Sequence, residues 1–222
     1  MMRSQTYSQQ TVTNLGLIAG LRDRLGRLGT SGRVLAGRVF PFGTATLDAA
    51  LPWGGLPAGS LHEVVGQAPL ATAGFLAAYL GSVRRGRPVL WLTPERQLHA
   101  PALAAFGFDH RRLTIAWTRR PEDRLQAFEE ALRTPGIAAV VAEIDGLDLA
   151  ATRRLQQAAQ AGGALGLLIR RDAAATVALT RWCIAPAQSD GRNPRWQVRL
   201  ERDGFAAQYA MEWGEARGFR VL

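Results

Sequence analysis

From Leu61 onward the chain alternates short apolar runs with longer segments of helical character, and that alternation leaves few folds open. The runs at 61–65, 88–93, 113–117, 137–142 and 165–170 have the length of strands, and helix-like segments at about 72–85, 96–106, 122–133 and 148–161 separate them. A continuously apolar strand needs cover on both faces. A helix inserted between two strands lets them run parallel, so the expected centre is a parallel sheet between two helical layers. The last third changes period. Residues 179–186, 195–202 and 206–213 alternate like half-buried strands, which predicts a small antiparallel edge. The fold class expected is therefore α/β, with a mostly parallel central sheet flanked by helices.

Ahead of this core, Leu15, Ile18, Leu21, Leu25 and Leu28 are spaced 3, 3, 4 and 3 apart. That spacing makes one apolar stripe on a helix whose other faces carry arginines. A turn-rich stretch follows at 40–60, with a short helical piece near Thr46–Leu51. The expected organisation is an N-terminal helical arm and linker over 1–39, a core over 40–204 and a C-terminal tail over 205–222.

All 27 Lys+Arg residues are arginine, so no lysine can hold a phosphate or form a Schiff base. A formal net charge of +9 favours a polyanion or an acidic protein as partner. The single cysteine, Cys183, excludes an internal disulfide and a cysteine-based zinc cluster, and reads as a small buried hydrophobe. His62, His99 and His110 have no ligand-like spacing. No apolar stretch reaches membrane-spanning length and the polar N-terminus lacks a signal-peptide core, so the expected location is the cytoplasm, away from membranes.

The stretch Glu63–Leu76, "EVVGQAPLATAGFL", sits at the strand-to-helix turn where a phosphate loop would lie. A working loop reads G-x-x-x-x-G-K-[ST]: backbone N–H groups cradle phosphates, the lysine reaches the terminal phosphates and the hydroxyl holds magnesium. Here Gly66 fits, but Ala71, Thr72 and Ala73 stand at the glycine, lysine and hydroxyl positions. Asp145 is expected to open the loop and cap of the helix that follows.

The order of these pieces resembles RecA-type recombinases. "GLPAGSLHEVVG" resembles the approach to their phosphate loop, "PVLWLTPE" their second strand, and "IAAVVAEIDGL" their Walker B strand. The resemblance covers roughly residues 40–200 and implies a RecA-like core. It places Glu95 where those proteins hold a catalytic glutamate and Glu143 at the magnesium-associated aspartate. It also exposes departures. Only "DGLD" (145–148) and "RDAAAT" (171–176) stand where RecA has its two DNA-binding loops.

A RecA-like core of this size without a phosphate loop, preceded by an arginine-rich helix, is similar to the ImuA family, with "FPFGTATLDAALPWGGLPAGSLHEV" the most family-like stretch. That resemblance implies a non-catalytic accessory protein of SOS-induced translesion DNA synthesis. It needs no cofactor or metal, and its partners are RecA and an ImuB-like homologue of Y-family polymerases. The SulA family of FtsZ-binding division inhibitors has a related core and is the competing resemblance; an ATPase with an atypical site is the enzymatic alternative. On the ImuA reading, Gly66, Ala71, Thr72, Ala73, Glu95 and Glu143 form a degenerate nucleotide site, and the stripe from Leu15 to Leu28 either docks a partner or folds back to cover the chain's own sheet. Arg84, Arg85, Arg119 and Arg120 are the residues for weak, non-specific DNA contact. The arginine clusters do not interleave with aromatics along the chain as a base-stacking platform does.

Overall fold

The computed structural model describes residues 38–222 except 84–86, 95–97, 173, 190, 192 and 203. The apolar stripe at 11–29, together with Arg84, Arg85 and Glu95, lies outside the described residues. A short ribbon opens the fold: β1 (Val39–Phe40) pairs antiparallel with β2 (Leu56–Pro57) around the helix α1 (Ala45–Ala49). Then come β3 (Leu61–Gly66), α2 (Pro69–Ser82), β4 (Val89–Thr93), α3 (Ala100–Ala104), β5 (Leu113–Trp117), α4 (Pro121–Arg133), β6 (Ala139–Glu143), α5 (Leu149–Gly162) and β7 (Leu165–Arg170). Four strands finish the chain: β8 (Thr180–Ala187), β9 (Arg195–Arg202), β10 (Phe205–Gly214) and β11 (Gly218–Val221).

The nine-stranded sheet has the order β11-β10-β9-β8-β3-β7-β6-β4-β5. All pairs from β8 to β5 are parallel, and β9, β10 and β11 add antiparallel. The architecture is thus the mostly parallel α/β sheet with an antiparallel C-terminal edge that the alternation predicts. Residues 205–222 form two strands of this same sheet.

Two apolar layers hold the sheet. On one face α2, α3 and the 40–58 segment pack in a cluster that includes Trp91, Trp182, Trp196, Met211 and Phe219. On the other, α4 and α5 bring Phe128, Leu132 and Leu155 against Leu90, Val140 and Leu168. Phe42 is the hub of the first layer, 4.4 Å from the Tyr79 ring and 4.8 Å from Trp182 between centroids. Phe219 of β11 lies 5.1 Å from Phe75 of α2, so the last strand belongs to the same core.

Helix starts follow local chemistry. Pro69 and Pro121 occupy first-turn positions, where a missing N–H costs nothing, and Glu122 and Asp123 complement the α4 dipole. Because Pro69 sets its start, α2 begins three residues ahead of the sequence expectation. Asp148 caps α5 by accepting from the Ala151 N–H at 2.6 Å. The cap is therefore Asp148 rather than Asp145, because its carboxylate precedes the first-turn N–H groups by the required spacing. Gly162 ends α5 against α4, where a Cβ would collide with the backbone at Leu132 and Arg133.

His62 of β3 is fully buried and carries a directional chain of hydrogen bonds. The Trp182 indole N–H donates to Thr180 Oγ1 at 2.8 Å, so the Thr180 hydroxyl proton points to His62 Nδ1, also at 2.8 Å. His62 Nε2–H is left to donate to the Pro57 carbonyl at 3.2 Å. Burial lowers the His62 pKa to about 4 from 6.5, against the opposing pull of the Pro57 carbonyl. The unfolded chain takes up a proton below pH 6.5 that the folded one refuses. This contribution is therefore complete above pH 6.5 and is lost as the pH falls toward 4, amounting to about 3 kcal/mol. Urea denaturation from pH 7.5 to 4.5 is expected to show that loss, with a flatter profile in His62→Gln. Parallel profiles would assign the pH dependence elsewhere.

Candidate functional site at the strand ends

The C-terminal ends of β3, β4, β6 and β7 open into a pocket of about 260 Å³, between the start of α2 and the start of α4. Ligands of open α/β sheets bind at this end of the strands. The wall from α2 consists of Pro69, Leu70, Thr72 and Ala73, the floor includes Trp91 and Thr93, and Arg124, Glu143, Asp145, Arg170 and Arg171 close the far side.

Each position proposed from the sequence for phosphate can be followed here. Only Gln67 and Ala68 separate the end of β3 from Pro69, so no extended loop of N–H groups surrounds an anion. Ala71, Thr72 and Ala73 all lie within α2. The Thr72 hydroxyl turns back to donate to the Ala68 carbonyl at 3.1 Å, and the side chain is buried. Gly66 is required by that arrangement: a Cβ at 66 would collide with the Thr72 hydroxyl. The Ala71 carbonyl accepts from the Trp196 indole at 2.9 Å, fastening the helix start to β9. Glu143 ends β6 at the pocket, but its Oε1 accepts from the Trp91 indole N–H at 3.0 Å. Its carbonyl accepts from Arg124 Nε at 2.6 Å. Arg124 also donates to the Thr118 carbonyl at 2.6 Å, and burial lowers its pKa against the pull of Glu143.

Sequence reasoning missed the charged network behind the pocket. Arg170 is fully buried and donates from Nη1 to Glu63 Oε1 at 2.8 Å; Arg181 Nε reaches the other oxygen of Glu63 at 2.6 Å. Asp172 pairs with Arg170 Nη2 and also accepts from the Gly146 N–H at 2.8 Å. Asp145 accepts from the Arg171 N–H at 2.7 Å and from its Nε at 2.8 Å. The loop after β6 and the loop after β7 are therefore cross-linked by carboxylates. Glu63 between His62 and the apolar Val64–Val65 of a strand was the available signal, since a buried carboxylate demands a cation. Arg119 and Arg120 lie exposed at the turn before α4, outside the pocket. Among the described residues, no group of three or more His, Cys, Asp or Glu gathers as metal ligands. None of their helices is long and apolar enough to cross a membrane.

Protein ImuA of Caulobacter vibrioides (strain NA1000 / CB15N) is 35% identical over 190 residues, spanning 74% of this chain and 78% of that relative. This chain belongs to the ImuA family. Protein ImuA of a second strain of the species (ATCC 19089 / CIP 103742 / CB 15) aligns with the same values. A family model described as cell division inhibitor SulA matches residues 61–166, which run from β3 to the start of β7. The relation to SulA therefore covers β3 to β6 with their helices, while most of β7, the parallel strand β8 and the antiparallel edge lie outside it.

Proposed function

We propose that this ImuA-family chain is a non-catalytic RecA-like accessory protein of SOS-induced translesion DNA synthesis, acting in the cytoplasm by binding RecA or an ImuB-like polymerase homologue. The observation that carries the non-catalytic part is the closed helix start. Only two residues separate Gly66 from the start of α2, the Thr72 hydroxyl is spent on Ala68, and no lysine exists to face a terminal phosphate. Phosphoryl transfer depends on positioning and charge at those atoms, and both are missing. Family membership supports the accessory role.

With magnesium and about 5 mM ATP, the melting temperature is expected to stay within about 1 °C of the free protein, because a ligand stabilises only by mass action on a site it fits. A shift of several degrees would revive the atypical ATPase. For the partner, light scattering and pull-down with RecA are expected to show binding by the full chain. A variant carrying Leu21→Glu and Leu25→Glu is expected to lose it, which would make the stripe at 11–29 the docking element. No binding by either protein would remove RecA and direct the search to the ImuB-like partner. The match to the SulA model supports a second reading, inhibition of cell division through FtsZ. FtsZ binding and filamentous cells on overexpression would favour it.

A further inference from the structure

Among the described residues, the exposed large apolar side chains are Val39, Trp53, Leu70, Leu149, Phe205 and Leu222. Two of them meet on one arginine. The Arg202 guanidinium carbon stands 5.3 Å from the Phe205 ring centroid and 5.9 Å from that of Trp53, within the range of a cation over a ring face. The β9–β10 register pairs Arg202 with Phe205 and, two residues inward on the same side, Leu200 with Ala207; Leu200 is buried in the α2 layer. The rings therefore lie on the α2 side of the sheet, at its β9–β10 turn. Neither belongs to the apolar cluster of that layer, and Trp53 and Phe205 remain 37% and 39% exposed.

The N-terminal segment joins the fold close to these rings. Arg38 is the first described residue, and its carbonyl accepts from the Ala58 N–H at 2.7 Å. Val39, exposed like the two rings, pairs with Pro57 of β2. Trp53 stands five residues before Ala58, so at most about 20 Å separates it from Arg38. The stripe of Leu15, Ile18, Leu21, Leu25 and Leu28 ends ten residues before Arg38. Residues 29–37, "GTSGRVLAG", connect the two with the composition of a flexible linker, whose root-mean-square reach is about 17 Å. Reach and span match, which is the condition for the highest effective concentration of a tethered segment.

We infer that the apolar stripe at 11–29 docks within its own chain on Trp53 and Phe205, laying leucines on the exposed ring faces. A separate protein is a poor occupant. It would give up its translational and rotational freedom, and stable interfaces bury about 800 Å² on each partner, more than two partly covered rings offer. A tethered segment is spared most of that loss, so a small apolar contact suffices. The arm's arginines are no obstacle, because their stems lie along apolar surface while the charged heads stay in water. A partner that takes the stripe must first displace it from the rings.

Hydrogen exchange of the full chain, read by mass spectrometry on peptides that cover 11–29, tests this without any partner and so stands apart from RecA binding. A helix of this length with Gly16, Gly20 and Gly26 inside it does not hold alone in water, so slow exchange there reports docking. Amides of 15–28 are expected to exchange about 10-fold or more slower than in an unstructured peptide. Trp53→Ala with Phe205→Ala is expected to return them to the unstructured rate, and Leu21→Glu with Leu25→Glu to do the same. Leu70→Glu, at the opposite end of the sheet, should leave them protected. Unchanged exchange in β6 would establish that each variant is folded. Unstructured rates in the full chain, or protection that survives loss of the rings or of the two leucines, would overturn the assignment. So would loss of protection in Leu70→Glu, or protection that falls on dilution and therefore belongs to a second copy.

Discussion

Glu63→Leu is expected to cost about 3–5 kcal/mol, enough to unfold a large share of the molecules if the domain has ordinary stability. The Arg170 and Glu63 side chains are both fully buried and joined at 2.8 Å. Removing the carboxylate leaves the Arg170 guanidinium inside the protein with only Asp172, which is 37% exposed, as a counter-charge. Arg181 can turn outward, since 19% of its side chain already meets solvent; Arg170 has no such route. The same reasoning predicts the remedy. Arg170→Met combined with Glu63→Leu removes both charges together, and the double variant is expected to be more stable than Glu63→Leu alone. Urea denaturation of the four proteins in this cycle measures the coupling. A single-variant loss under about 1 kcal/mol would mean that water reaches Arg170 and that the network is not closed.

Trp91→Ala is the second large effect, at about 3–5 kcal/mol. Trp91 is 1% exposed, lies in β4 between β6 and the edge strand β5, and forms part of the floor of the strand-end pocket. Its truncation leaves a cavity that neighbouring strands cannot collapse into, since β4 is held on both sides by parallel partners. It also removes the N–H that Glu143 Oε1 accepts. Trp91→Phe keeps most of the volume and is expected to cost about 1–3 kcal/mol, chiefly for the lost hydrogen bond to a charged group. The enlarged pocket of Trp91→Ala is not expected to bind ATP, because the obstacle is the two-residue connection before Pro69 and not the bulk below it. ATP-dependent stabilisation appearing in that variant would contradict this account and identify the indole as the block.

How much of this was legible differs between elements. The parallel block was readable because β3, β4, β6 and β7 are apolar on both faces and the segments between them have helical length. The α2 boundary was misplaced because the search for a phosphate loop put the helix start six positions after Gly66, whereas Pro69 starts it after three. The helix expected at 96–106 is described only over Ala100–Ala104. Asp145 was read as a cap because it follows a strand; the cap three residues later has the N–H geometry, and Asp145 instead meets Arg171 across a loop. The contact of Arg202 with the Trp53 and Phe205 rings was passed over because those rings stand 152 positions apart in the chain.

The sequence by itself determined the α/β class, the want of any lysine for phosphate chemistry and the order of pieces that marks the family. These follow from residue type and period, which are local properties of the chain. Only the tertiary structure decided that Glu63 is the counter-charge of two arginines more than 100 positions away, that Glu143 is held by an indole, and that no described helix covers one face of the C-terminal strands. The reason is common to all three. A charge, a hydrogen-bond acceptor or a sheet face acquires its role from what packs against it, and strand order brings those neighbours from parts of the chain that periodicity cannot pair.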